Sequence, residues 1–327
     1  MSRQVFNILA IGQAGRLEAE AALLAASLRH SDPDFPGTLY IAEPQPGPLW
    51  PEDPRMSDAG RAYLEGLGAV ILPFESRIFG AAYPNGNKIE ALAALPDAPF
   101  LFLDTDTLIT GSFADVQFDF ARPSASMKRE NTWPQEELYG PTTGQTWRAL
   151  YDHFGVPFAP TLAEDEPEDH WERYLYFNAG WFFHQSPAAF GERYADWARR
   201  VWHDRPEVLE CQPIFPWLDQ IVLPLVIASF GGGRPGPELD GMDGRVTCHW
   251  RLMPLLYARE EDRVVEVLHK VTKDNHLKKV LKAWPAMRKM IYQGQGDEVR
   301  ALFDRRALPR KEQALRNAIK RAGLWTR

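Results

Sequence analysis

The chain reads as an α/β protein with a mixed, mainly parallel sheet flanked by helices, and three observations carry that reading. Apolar runs of strand length alternate with segments of helical period through the first hundred residues. The runs are continuous rather than alternating, as in strands buried on both faces. One of them, Phe100-Leu101-Phe102-Leu103, stops abruptly at two aspartates one residue apart, Asp104 and Asp106. Carboxylates at the carboxyl end of a strand stand where open α/β sheets hold their ligands.

Val5 to Gly12 predicts a buried strand, and Leu17 to Arg29, rich in Ala and Leu at helical spacing, predicts the helix after it. Gly37 to Ala42 is a second strand. The Pro-rich stretch Glu43 to Pro54 excludes regular structure, because each proline fixes φ and removes a backbone donor. Ser57 to Gly66 predicts a helix, Ala69 to Pro73 a third strand, and Asn87 to Leu95 the helix that leads into the aspartate-bearing strand. This βαβαβαβ order is that of a parallel sheet.

Beyond Gly111 the alternation weakens. Thr146 to Phe154 predicts a helix, Ala163 to His170 an acidic loop, and Tyr174 to His184 a long aromatic strand. Helices are expected over Ala188 to His203 and Leu218 to Phe230, the second interrupted or kinked at Pro224. Val246 to Trp250 predicts a short strand presenting His249, and Glu260 to Val271, Leu277 to Met290 and Gln313 to Ala322 predict basic helices. The expected division is a first domain over residues 1–255 and a basic helical extension over 256–327.

Apolar residues make up 45% of the 327, enough for a packed core, so a disordered chain is excluded. Two cysteines, Cys211 and Cys248, imply no disulfide framework and fit a reducing compartment. With no apolar run long enough to span a bilayer, the expected address is cytoplasmic, peripheral at most at the inner face of the membrane. The net charge of −7 is unevenly spread. Residues 270–327 hold sixteen Lys and Arg against five Asp and Glu, which leaves −18 on the rest. That basic segment is either a solvated helical face or a surface for an anionic partner, a membrane or an acidic acceptor. No nucleic-acid partner is expected.

An Asp-x-Asp pair can cap a turn for purely local reasons. Four apolar residues directly before it make a metal site the sharper reading, since two hard oxygen ligands suit Mg²⁺ or Mn²⁺, and the cation suits a phosphate-bearing substrate. One function with that chemistry is phosphoryl hydrolysis of the haloacid-dehalogenase type, with Asp104 as nucleophile in Asp104-Thr105-Asp106-Thr107. About a hundred residues precede a motif that normally lies on the first strand, and only Asp240 and Asp243 offer the later acidic pair that such an enzyme needs.

More of the chain is absorbed by a different pattern: Asn87-Lys88, Phe102-Leu103-Asp104-Thr105-Asp106, Phe177-Asn178-Ala179-Gly180, Leu218-Asp219-Gln220 and a late His249. In this order and spacing, from about Val5 to Trp250, the sequence resembles GT-A-fold glycosyltransferases, especially the family-eight-like members that include bacterial lipopolysaccharide glycosyltransferases and glycogenin. Gly12 to Leu17 is also faintly similar to the Gly-rich loop of sugar nucleotidylyltransferases, with no second signature to support it.

The resemblance implies a metal-dependent transfer of a sugar from a UDP- or GDP-linked donor to a hydroxyl acceptor on a glycan or glycolipid. It implies Asp104, Asp106 and His249 as ligands of Mn²⁺ or Mg²⁺. Lys88, Thr105 and Arg251 would join the metal pair on the donor side, Asn178, Ala179 and Gly180 would line the donor-sugar pocket, and Asp219 and Gln220 would act near the anomeric carbon. Each has a plainer alternative: a solvated lysine, a buried amide satisfied by the backbone, an acid at a helix start, a packed core histidine. Family-eight enzymes follow the metal histidine with Gly and later Lys-Pro-Trp, where this chain has Trp250-Arg251-Leu252-Met253-Pro254. The loops over 124–144 and 156–170 are expected to carry acceptor choice. A third reading is a non-enzymatic protein that keeps the fold for binding alone.

Overall fold

The structure, a computed structural model, describes residues 3–128, 133–135, 139–168 and 170–326. Residues 129–132, 136–138 and 169, in the two loops expected to choose the acceptor, lie outside them. A five-stranded sheet forms from β1 (Asn7–Ile11), β2 (Leu39–Pro44), β3 (Val70–Phe74), β4 (Phe100–Leu103) and, beyond the short β5 (Thr107–Ile109), β6 (Trp181–His184). Its order is β3-β2-β1-β4-β6. The first four strands run parallel, with Leu9 opposite Tyr40 on one side and Phe102 on the other, and β6 closes the edge antiparallel to β4. The expected mixed, mainly parallel sheet is therefore present.

Strand order reverses at β1, whose neighbours β2 and β4 lie on opposite sides. Crevices at such switch points open beyond the carboxyl ends of the strands, here above Ile11 and Leu103. All four residues of β4 are buried, as a strand covered on both faces requires, and Phe102 stacks on Phe182 of β6 with ring centroids 4.8 Å apart. Burying each such side chain stabilises the fold by about 1.5–3 kcal/mol.

The helices that cover the sheet include α1 (Arg16–Ser31), α2 (Asp58–Gly66), α3 (Asn87–Glu90), α4 (Thr143–His153), α5 (Pro187–His203) and α6 (Leu218–Ser229), the last running through Pro224 without a break. A second, two-stranded sheet pairs β5 with β7 (Thr247–His249), setting Thr107 opposite His249. Downstream come α7 (Met253–Arg259), α8 (Asp262–Val271), α9 (Asn275–Ala283), the short α10 (Pro285–Met287), α11 (Gln295–Ala301) and α12 (Glu312–Arg321). Among the described residues no helix is long and apolar enough to cross a membrane.

Helix α1 is buried on two sides. Ala21, Leu24, Ala25 and Leu28 join the core around β1 and β2, while Ala19, Ala22 and Leu23 pack with Leu256, Leu268 and Leu281 of α7, α8 and α9. Its alanines suit a helix squeezed between two layers, because short side chains let both neighbours come close. Part of the basic charge beyond residue 255 is consumed internally. Arg300 Nη1 donates to the carbonyls of Tyr257 (2.9 Å) and Glu260 (3.1 Å), and Arg305 Nη2 to those of Arg259 (3.0 Å) and Glu260 (2.6 Å), so two arginines satisfy the open carbonyl end of α7.

Four element expectations need correction. Regular structure does enter the Pro-rich stretch expected to exclude it, since Glu43 and Pro44 close β2 and pair with Pro73 and Phe74 of β3, where proline is tolerated at a strand end. The aromatic strand expected over Tyr174 to His184 is strand only from Trp181, because Ala179 adopts φ 57°, a left-handed conformation that breaks extended backbone. The helix expected over Leu277 to Met290 stops at Ala283, where Pro285 starts a new turn rather than continuing the old one. The helix expected over Asn87 to Leu95 tightens to 3₁₀ from Ala91.

Candidate active site

The link Asp104-Thr105-Asp106 crosses from β4 of the main sheet to β5 of the small one, and both aspartates are pinned by backbone. The Asp104 amide donates to Gly180 O at 2.8 Å, and the Trp250 amide donates to Asp106 O at 2.9 Å. Pairing of β5 with β7 delivers His249 beside them: its Nε2 lies 3.0 Å from Asp106 Oδ1 and 3.9 Å from Asp104 Oδ2. One ligand atom from each of the three residues falls within 4.8 Å of the others. His249 Nδ1 is buried with no hydrogen-bond partner among the described residues, so the polar outlet of the ring is Nε2, on the aspartate side. Burial opposes both charges, but mutual attraction wins: Asp106 lies below the usual carboxylate range and His249 above the usual imidazole value.

Lys88, at the start of α3 and 7% exposed, sits beneath this group. Its Nζ is 2.9 Å from Asp104 Oδ1, 3.1 Å from Asp219 Oδ2 and 3.2 Å from Ala179 O, so three acceptors meet its three donors. Burial works against the ammonium, but the two carboxylates hold its pKa above the ordinary lysine value. Asp219, 2% exposed in the first turn of α6, also accepts from Tyr83 Oη at 2.6 Å. Gln220 faces Tyr176, whose hydroxyl donates to Oε1 at 2.6 Å.

Asn178 lies in irregular chain before β6, not within a strand. Its Oδ1 accepts from the Gly180 amide at 2.7 Å, and its Nδ2 donates to Lys128 O. Arg251 has φ 62°, an outlier of the kind that clusters at functional sites, and its Nη2 donates to Lys128 O at 3.0 Å. Lys88, Asp104, Thr105, Asp106, Asn178, Asp219, Gln220, His249 and Arg251 all line one cavity of about 320 Å³. Ala179 and Gly180 stand behind it, through the Ala179 carbonyl on Lys88 and the close approach of Gly180 to His249. Asp240 and Asp243 line no part of it; Asp240 is exposed and Asp243 accepts from the Ser126 hydroxyl at 2.8 Å.

Of the charged residues lining or adjoining the cavity, Glu20 escapes sequence reasoning, and Arg16 enters it only within the faint Gly12 to Leu17 likeness. Arg16, the first residue of α1, lines the cavity and holds Glu20 Oε1 with Nη1 at 2.7 Å. Glu20, 1% exposed, accepts from the Thr105 hydroxyl at 3.1 Å. Burial, with Asp106 nearby, pushes its carboxyl up to about 8. The signal for Glu20 is an acid placed among alanines and leucines on a helix with two buried faces.

A crevice at a strand switch point, lined by a carboxylate pair, a histidine and a buried lysine, lies where open α/β sheets bind their ligands. Residues 8–231 match the Rhodobacterales glycosyltransferase domain, and the chain belongs to that family of glycosyltransferases. No curated protein matches it. Among solved structures it is similar to the galactosyltransferase LgtC, in complex with donor and acceptor sugar analogues, at 16% identity over 71% of this chain and 73% of that one, with a TM-score of 0.43. The bifunctional glycosyltransferase WbbM in its apo form is similar at 12% identity over 87% and 52%, TM-score 0.44. GlyE of Streptococcus pneumoniae TIGR4 is similar at 12% over 89% and 65%, TM-score 0.43. Likenesses this distant leave donor and acceptor to the site itself.

Proposed function

We propose that this glycosyltransferase moves a sugar from a nucleoside-diphosphate donor, UDP- or GDP-linked, to a hydroxyl of a glycan or glycolipid acceptor, with Mn²⁺ or Mg²⁺ held by Asp104, Asp106 and His249. The observation that carries the reading is the convergence of those three side chains on one side of the cavity. Two carboxylate oxygens and one imidazole nitrogen are a donor set that fits such a cation. When bound, the cation would supply Lewis-acid neutralisation of a departing diphosphate.

The chain's own residues supply the rest. Lys88 offsets the charge of Asp104 from beneath and fixes its orientation through Nζ. Thr105 anchors the link between the aspartates, and Asn178, Ala179 and Gly180 shape the wall where backbone approaches the donor sugar. Arg251 adds positive charge at the cavity. Asp219 and Gln220, on the first turn of α6, place an acid and an amide where a sugar gaining cationic character would be stabilised. The proposed setting is the cytoplasm, with the basic helices beyond residue 255 as the face toward an anionic acceptor or membrane.

Calorimetric titration of UDP and GDP, with and without Mn²⁺, tests the reading. Nucleoside-diphosphate binding that requires the metal, and that Asp106→Ala abolishes together with transfer, is the expected result. Binding indifferent to Mn²⁺, or transfer unchanged in Asp106→Ala, removes it.

A further inference from the structure

Three cationic side chains line the cavity: Arg16, Lys88 and Arg251. They are not equally available. The three donors of Lys88 are engaged by Asp104, Asp219 and the Ala179 carbonyl. Arg251 is held to the Lys128 carbonyl through Nη2. Arg16 keeps 43% of its side chain exposed, and among the described residues its hydrogen bond runs from Nη1 to Glu20 alone, which leaves the other edge of a five-donor fork open.

Its placement is built rather than incidental. Gly15, at φ 86°, turns the chain after β1 so that α1 begins at the switch point; a β-carbon there would meet only Trp284, at 3.8 Å, so backbone conformation and not space calls for glycine. Glu20 then holds the guanidinium with one carboxylate oxygen and takes the Thr105 hydroxyl with the other. The middle residue of the aspartate link is thereby tied to Arg16 through one buried acid. Asp104 and Asp106 both act on the Arg16 charge, which sets the guanidinium within electrostatic reach of the cation site.

We propose that Arg16 is a diphosphate-binding residue, gripping phosphate oxygens of the donor through the open edge of its guanidinium. This rests on the donor-site reading above. A planar fork matches two phosphate oxygens where a lysine offers a point charge, so the interaction has geometry as well as sign. It grows as the leaving diphosphate gains charge, which makes Arg16 a contributor to turnover and not to affinity alone.

The probe is inorganic pyrophosphate, with UDP and GDP beside it, titrated into the full chain at saturating Mn²⁺. Arg16→Gln, whose amide can still donate to Glu20, is expected to weaken pyrophosphate about tenfold or more while changing Mn²⁺ affinity much less, with a melting curve confirming that the variant is folded. Arg16→Lys is expected to recover part of the loss, which a merely structural role would not produce. Equal pyrophosphate affinity in wild type and Arg16→Gln overturns the proposal and leaves the donor-site reading standing. Failure of the wild type to bind any of the three probes with Mn²⁺ overturns both.

Discussion

Gly180 stands so close to His249 that a β-carbon on it would lie 2.4 Å from the ring Nδ1 and 2.9 Å from Asn178 Oδ1. The ring is backed directly by main chain, and its position beside Asp106 depends on that missing methyl group. Gly180→Ala is expected to displace His249 and weaken Mn²⁺ binding about tenfold or more, with thermal stability lowered by far less than a core truncation would lower it. Calorimetry with Mn²⁺ and a melting curve check both halves; unchanged Mn²⁺ affinity would show that the ring has room to retreat.

Lys88 neutralises two carboxylates at once, and Lys88→Met leaves Asp104 and buried Asp219 without their shared partner. Breaking a buried pair from one side costs about 3–5 kcal/mol. A drop of that order in unfolding free energy by urea titration is expected, and a loss under about 1 kcal/mol, the range of surface pairs, would place the network outside the stability of the fold.

Glu20 sets a pH dependence. Its folded carboxyl titrates near 8 against an ordinary value of 4.5, so the folded chain binds the extra proton between those limits and stability falls as pH rises through that window. One group can contribute a slope of at most about 1.4 kcal/mol per pH unit. Glu20→Gln, which cannot titrate, is expected to flatten the fall between pH 5 and 8 in metal-free buffer. A variant whose unfolding midpoint falls with pH as steeply as the wild type would assign the slope elsewhere.

Ending the chain at residue 255 would uncover Ala19, Ala22 and Leu23 of α1 and remove the partners α8 and α9. Such a fragment is expected to bind a hydrophobic dye and lose cooperative melting. A fragment that melts cooperatively would instead support a domain boundary at that position.

The sheet and the aspartate pair are legible in the sequence because both rest on local pattern: continuous apolar runs mark buried strands, and Asp104 and Asp106 interrupt one of them at its end. Glu20 is not legible in the same way. Spaced four residues from Arg16, it has the look of an ordinary surface pair, and the segments around it, Thr105, Trp250 to Met253 and Trp284 to Met287, come from far along the chain. The grip of Lys88 on Asp219 joins residues far apart in the chain, and no local periodicity encodes it. Ala179 hid its left-handed turn inside an aromatic run that otherwise reads as strand, since alanine, unlike glycine, does not advertise positive φ.

Helix α1 emerges from the ribosome more than two hundred residues ahead of α8 and α9, the elements that cover its second face. Every strand of both sheets also precedes them, so Ala19, Ala22 and Leu23 lack these partners even after the last strand has been made. The second face of the first βα unit is thus completed by contacts of long sequence separation, the kind whose loop-closure entropy must be overcome before they stabilise the chain.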